Sequence, residues 1–429
     1  MTMRYRLPLY LTGAAAARIG DEMSGPALLL AGLAVTGSAA TGSLLLSGIM
    51  ISAAIGGPVL GALLDRTAVP GRLLTGALAG YAAVLIVVLL GLGRLPLPAV
   101  VAVAVLGGLL GPALAGGWTS QLARLVGPDR LPRATALDAM TYNLGSLAGP
   151  ALAGAVALVA GATAGVITAA ALILLALPAA WTLPTVPERR GPAPRTSVAA
   201  DLAAGFLAIV RARFLARATV TSVISYVGVG ILVTCTPLLG EKALGSTDSG
   251  AFLLATLAAA SLAANALVAK RFDMLRPDTT VLVSTLVLAG ALLLAAAASP
   301  IPLFTAMVLA GIGAGPQLTA LFAVRHREAP ERLRGQIFTT GASLKITGFA
   351  IGAGIGGPLA TWSLSGSLIV AAGFEVLASA AFLAYTAAGS GRRPRPADTA
   401  LPQGRETAVA PHGGADQSAQ ERGDHLGGR

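Results

Sequence analysis

Residues 73–93 and 95–123 carry no charged side chain, and similar stretches recur up to residue 388. A helix needs about 20 apolar residues to cross the hydrocarbon of a bilayer. In lipid, every backbone amide and carbonyl must be paired within the protein, so each run reads as a spanning helix. Strands are disfavoured, because the runs are long, rich in Ala and Leu, and lack alternation. Twelve runs can be marked, near 8–34, 42–63, 73–93, 97–121, 138–159, 163–184, 218–239, 249–269, 279–298, 301–323, 337–360 and 365–388. Composition agrees: 55% of the 429 residues are hydrophobic and 11% are charged, whereas soluble chains carry about 25% charge. The 54 glycines suit helices that pack closely in lipid. The first run is too long for a cleavable signal and lacks a cleavage site followed by a soluble domain. The expected fold class is an all-α membrane protein of twelve transmembrane helices in two six-helix pseudo-repeated halves.

The charges orient these runs. Of the 30 Lys and Arg residues, Arg18 and Lys345 lie inside runs, and Arg94 and Lys242 lie in loops of one side. All the others gather in loops of the opposite side and in the tail. The positive-inside rule makes that side cytoplasmic, places both termini there, and implies an even number of spans in the cell membrane. The net charge of +11 is therefore a topology signal. Nucleic acid is not expected as a partner, since no basic helix face interleaved with aromatics occurs. Cys235 is the one cysteine, and His326, His412 and His425 fall in loops or the tail. Neither a metal site nor a catalytic triad is expected, and no phosphate-binding Gly-rich loop is present. No cofactor and no enzymatic activity are expected.

The chain divides as residues 1–184, a cytoplasmic linker at 185–217, residues 218–388, and a Pro-, Gly- and charge-rich tail at 389–429 expected to be disordered. The halves echo each other: "GPDRLPRATA" precedes the fifth run and "APERLRGQIF" the eleventh. Repeated halves suit a carrier that rocks one half against the other around a central site.

Three motifs carry a family resemblance. "GPVLGALLDR" after the second run resembles the Gly-x-x-x-Asp-Arg-x-Gly-Arg loop of the major facilitator superfamily. Gly61, Asp65 and Arg66 match, and Gly71-Arg72 arrives about three residues late. "GSLAGPALAG" in the fifth run is similar to the Gly-x-x-x-Gly-Pro pattern of its antiporters, through Gly145, Gly149, Pro150 and Gly154. "RIGDEMSGPALLLAGLAVTGS" resembles the first span of drug and siderophore exporters. The resemblance implies a gating role for Gly61, Asp65, Arg66 and Arg72. It also implies an interdomain seam at Gly145, Gly149, Pro150 and Gly154, to which Gly348, Gly352, Gly356, Gly357 and Pro358 of the eleventh run are analogous; generic small-residue packing is the alternative. The first, fourth, seventh and tenth spans of that family line the substrate cavity.

Arg18, Asp21 and Glu22 stand out inside the first run. Either acid can meet Arg18 on one helix face. They lie about 15–21 Å from the cytoplasmic edge, near the midplane. One acid is the expected proton-coupling group, Asp21 ahead of Glu22, with Arg18 setting its proton affinity; a neutralised structural pair is the alternative. Candidate cavity residues are Trp118, Gln121, Tyr142, Asn143, Tyr226, Gln317 and Lys345, few polar handles in an apolar setting; for any one of the polar and aromatic groups, simple interhelical hydrogen bonding is the alternative role. Lys345 can also pair with Glu375 at similar depth. The expected activity is secondary active transport, most simply proton-driven efflux of an amphipathic small molecule by a monomer. The alternatives are a siderophore or metabolite exporter, or an uptake permease. The expected partners are that small molecule, protons and the lipid bilayer.

Overall fold

A computed structural model describes residues 3–185, 198–246, 249–271 and 276–390. The expected tail beyond Ser390 and part of the linker lie outside the described residues. All regular structure among the described residues is helical. The first half contains α1 (Met3–Thr36), α2 (Ala39–Arg66), α3 (Pro70–Gly91), α4 (Leu97–Gly108), α5 (Gly116–Thr119), α6 (Leu122–Leu125), α7 (Leu131–Ala160), α8 (Ala162–Leu175) and α9 (Leu177–Trp181). The linker helix α10 (Val198–Arg211) follows. The second half contains α11 (Arg213–Leu244), α12 (Ser249–Lys270), α13 (Pro277–Ala295), α14 (Pro300–Glu328), α15 (Arg334–Trp362) and α16 (Leu364–Ser390).

Local chemistry explains the boundaries. Pro70, Pro277 and Pro300 open α3, α13 and α14, where a missing N–H leaves no intrahelical bond unmade. Gly245 closes α11 in the left-handed region at φ 82°, which costs glycine little. The fourth expected span is not one helix. After α4 the chain makes a 3-10 turn at Gly111–Ala113 and two short helices. A Cβ on Gly108 would lie 2.2 Å from the Ile49 carbonyl oxygen, and one on Gly116 would lie 2.5 Å from that of Phe338. The broken span is thus pressed backbone-to-backbone on α2 and α15, and its glycines make that approach possible.

Among the described residues, ten segments are long and apolar enough to cross a membrane. The two remaining long helices are α1 and α15. Arg18, Asp21 and Glu22 dilute the hydropathy of α1, and Lys345 with many Gly, Ser and Thr residues dilutes that of α15. Each half has its own apolar core. Tyr10, Leu28, Leu64, Leu78, Trp118 and Ile173 belong to the first, and Ile231, Leu253, Leu303, Met307 and Leu368 to the second. Helix α10 adds Ile209 to a cluster with Leu215, Ala329, Leu333 and Ile337.

The halves meet chiefly through α2 on α15 and α7 on α12. A small apolar cluster crosses between them, with Ala139 and Tyr142 from α7, Leu318 and Phe322 from α14, and Phe338 from α15. Among the described residues, every hydrogen bond between the halves lies between Ala53–Asp65 of α2 and Gly335–Ser343 of α15. These bonds run from the middle of α2 to its end, and the two made by Asp65 join the end of α2 to the start of α15, here called the Asp65 end.

Candidate functional site

Arg18 has a partner that sequence reasoning missed. Its Nη1 is 2.9 Å from Asp138 Oδ1 and 2.9 Å from the Asp138 carbonyl oxygen. It also donates to Thr141 Oγ1, and Nη2 donates to Thr119 Oγ1 at 2.9 Å. Thr119 donates to Asp138 Oδ2 at 2.8 Å, and Tyr10 to Oδ1 at 2.9 Å. The guanidinium carbon sits 3.7 Å from the centre of the Tyr142 ring. Asp138 is wholly buried and Arg18 nearly so. A buried ion pair persists when its lone pairs and protons find partners; here Oδ1 of Asp138 accepts from Arg18 and Tyr10 and Oδ2 from Thr119, while the Arg18 Nε alone of that guanidinium has no partner. The expected pairing of Arg18 with Asp21 or Glu22 is corrected: among the described residues, its ion pair is with Asp138. The signal available in the sequence was an acid at the first residue of the fifth run.

With Arg18 paired to Asp138, neither Asp21 nor Glu22 forms an ion pair among the described residues. Asp21 is half-buried and turns toward α3, where the Tyr81 hydroxyl interacts with its carboxylate and sits 3.0 Å from Ser24 Oγ. Glu22 is exposed although it stands at mid-helix. Its carboxylate is within electrostatic reach of the Tyr226 hydroxyl on α11 of the other half. Successive residues diverge by about 100° around a helix, so one acid enters the packed half and the other leaves it. Of the two expected coupling acids, Asp21 thus turns into the first half and Glu22 is the exposed one.

At the Asp65 end, Gly335 N donates to Asp65 Oδ1 and Gln336 N to Oδ2, each at 2.8 Å. No side chain of α15's own N-cap residue, Leu333, caps that helix. Asp65 therefore satisfies orphan amides at the start of a helix in the other half and places negative charge at its positive pole. A Cβ on Gly61 would lie 2.4 Å from the Gln336 Cα, and one on Gly57 2.6 Å from the Thr339 carbonyl oxygen. Ser343 donates to the Ala53 carbonyl at 2.7 Å. Gln336 reaches the Leu202 carbonyl of α10 at 3.0 Å. Arg66 is exposed nearby. Arg72 is placed elsewhere: its guanidinium lies 5.5 Å from the Trp181 ring of α9, within the first half. The three-residue delay of Gly71-Arg72 carries it away from Asp65.

The expected seam glycines pack inside the halves instead of between them. A Cβ on Gly145 would meet the Arg18 backbone at 3.2 Å, and one on Gly149 the Glu22 backbone at 2.8 Å. They let α7 approach α1 closely enough for Arg18 to reach Asp138. Gly348, Gly352 and Gly356 do the same for α15 on α11, facing Val223, Val227 and Ile231. Gly154 has open space around it, and Pro150 is exposed within α7.

The candidate cavity residues separate into two groups. Trp118 is fully buried beside Tyr10, with ring centres 5.7 Å apart. Gln121 is buried and binds Ser120 and Arg124. Gln317 donates to Ser225 at 3.3 Å, and Ser225 to Glu375 at 2.8 Å, inside the second half. These three are packing groups, because small neighbours let the helices enclose them. Tyr142, Asn143 and Tyr226 are only half-buried. Lys345 holds its Nζ 3.8 Å from the centre of the Tyr226 ring, and among the described residues it forms no ion pair with Glu375. His326 is not in a loop: it is buried in α14, 4.5 Å from the Phe338 ring. Arg325 beside it is 1% exposed, a buried cation that sequence reasoning assigned to a loop.

The chain was compared with known families and structures. Residues 10–340 match the family description Major Facilitator Superfamily. The uncharacterized MFS-type transporter y4rN of Sinorhizobium fredii is 29% identical over 396 residues, covering 87% of this chain and 93% of the relative. The crystal structure of the human organic anion transporter MFSD10 (TETRAN) is similar with a TM-score of 0.72 at 16% identity, over 89% of this chain and 100% of that one. That of a bacterial homologue of the iron transporter ferroportin, in its outward-facing state, is similar with a TM-score of 0.73 at 14% identity, over 90% and 100%. At such identities the two structures speak for the fold.

Proposed function

Because the chain belongs to the major facilitator superfamily, we propose that it is a proton-coupled secondary transporter that moves an amphipathic small molecule out of the cell by alternating access. The observation that carries this reading is Glu22, an acid exposed at mid-span and separated from the neighbouring Arg18 by that residue's commitment to Asp138. A carboxylate free of a fixed cation changes its proton affinity as its surroundings alternate between wet and dry. Proton release on one side and uptake on the other then drive the exchange.

In this reading the Asp65 end faces the cytoplasm, as the distribution of Arg and Lys supports. Asp65, Gly57 and Gly61 hold it shut in the outward-open state. Breaking the Asp65 bonds to Gly335 and Gln336 frees α2 from α15, and α10 travels with the second half. The working unit is a single chain in the cell membrane. Efflux is supported by the resemblance of the first span to exporters.

The test is reconstitution in liposomes under an imposed pH gradient, with lipophilic dyes as substrates. Uphill dye movement should require the gradient and be lost in Glu22→Gln. Movement that ignores the gradient, or a Glu22→Gln variant that still concentrates dye at the parent rate, overturns the coupling role.

A further inference from the structure

Two buried cations in the second half, Arg325 and Lys345, form no ion pair among the described residues. Arg325 is 1% exposed, and neither its Nε nor its Nη2 has a hydrogen-bond partner. Its guanidinium lies where Gly341 has no side chain, since a Cβ there would be 2.3 Å from Nη2. Lys345 is 8% exposed. It stands four residues after Gly341, on the same face of α15 one turn further from the Asp65 end. The two charges are near enough to act on each other directly. Among the described residues, neither takes part in an ion pair. Like charges held together out of water are costly without a counter-ion.

They stand beside the aromatic contact between the halves, with the Arg325 guanidinium carbon 5.9 Å from the centre of the Phe338 ring. Tyr142, Phe322 and Phe338 stack across the halves at 5.4 and 5.9 Å between ring centres. Lys345 is seven residues beyond Phe338 on α15. Gly149, against which Glu22 packs, is seven residues beyond Tyr142 on α7. Each therefore stands about 10 Å above that aromatic floor. Tyr226 joins the two levels, since Lys345 lies over its ring and Glu22 acts on its hydroxyl. The floor and the two walls leave a fixed positive pair on one side and an acid on the other.

We propose that this transporter takes substrates bearing an acidic group (a carboxylate, sulfonate or phosphate) and that Arg325 and Lys345 hold that group, with the apolar body of the molecule over Tyr226 and the aromatic floor. This rests on reading the space between the halves as the substrate site; it does not rest on the direction of transport. Arg325 offers a fork of donors to a planar anion and Lys345 a point charge. Specificity follows because a neutral analogue leaves both cations unpaired.

The experiment uses the full chain in lipid nanodiscs and a matched pair of probes, dansylglycine and its neutral amide, followed by dansyl fluorescence. The acid should bind about tenfold more tightly than the amide, as fits a charge-assisted pair. Lys345→Gln and Arg325→Gln should each bring the acid down to the level of the amide and leave the amide unchanged. Equal affinity for the two probes in the parent protein overturns the acidic class and leaves the site standing. No saturable binding of either probe overturns the reading of this space as the substrate site. Lys345→Met is the folding control. It removes an unpaired buried charge, so its thermal midpoint should equal or exceed that of the parent while acid binding falls. A midpoint several degrees lower makes Lys345 a structural residue and overturns the proposal.

Discussion

Replacing Asp65 by Asn should weaken closure at the Asp65 end without harming either half. The carboxylate accepts from two backbone amides of the opposite half, each at 2.8 Å. Asn keeps one acceptor and turns an amide donor toward the second N–H, so one bond is lost and one N–H faces a donor. A hydrogen bond to a charged group contributes about 1.5–3 kcal/mol net when buried. The charge at the helix pole adds about 0.3–1 kcal/mol. Asp65 is half-buried, so the lower values apply, and the total is about 2 kcal/mol. That corresponds to a shift of roughly thirtyfold between closed and open forms, since about 1.4 kcal/mol is tenfold. Spin labels at Arg133→Cys and Arg332→Cys, both exposed and at this end of different halves, report the distance across the seam. Native Cys235 is fully buried and should stay unlabelled. The ratio of long to short distances should rise by about that factor in Asp65→Asn, and by as much or more in Asp65→Ala. Unchanged distance distributions in both variants would refute the reasoning, because the cap would then contribute nothing to closure.

Other outcomes follow from the same geometry. Asp138→Asn leaves Arg18 buried without a counter-charge and should cost about 3–5 kcal/mol, read as a large fall in thermal midpoint in detergent. Gly149→Ala would put a methyl 2.7 Å from the Glu22 Cβ and 2.8 Å from its backbone, and overpacking of this kind costs about 1–3 kcal/mol. Gly154→Ala meets nothing within 4 Å and should stabilise α7 by up to about 1 kcal/mol; a midpoint that falls equally in both variants would contradict the packing account. Gly61→Ala, 2.4 Å from the Gln336 Cα, should open the Asp65 end as Asp65→Asn does while sparing the midpoint, measured with the same labels.

Much of the fold was legible before any coordinates. Charge-free runs such as 73–93 dictate helices, because lipid offers the backbone no partner. The Gly61–Asp65–Arg66 spacing marks the end of α2. The broken fourth span was less legible, since Gly107, Gly108 and Gly111-Pro112 read equally well as packing positions within one helix.

The rotation of each helix about its own axis could not be read this way. The spans are apolar nearly all round, so no polar stripe declares which side faces a neighbour. Residues 18, 21 and 22 were seen to be at mid-span, but local spacing favoured a pairing among themselves. Arg18 instead meets Asp138, 120 residues away in sequence, because Gly145 and Gly149 bring α7 onto that face of α1. The sequence by itself determined that this chain is a bundle of membrane helices with its positive loops on one side. The tertiary structure decided that Arg18 is neutralised, that Glu22 is exposed, and that Arg325 of α14 lies against the face of α15 that carries Lys345. A buried charge is settled by whichever distant helix can reach it, and only the packing of small residues fixes which one can.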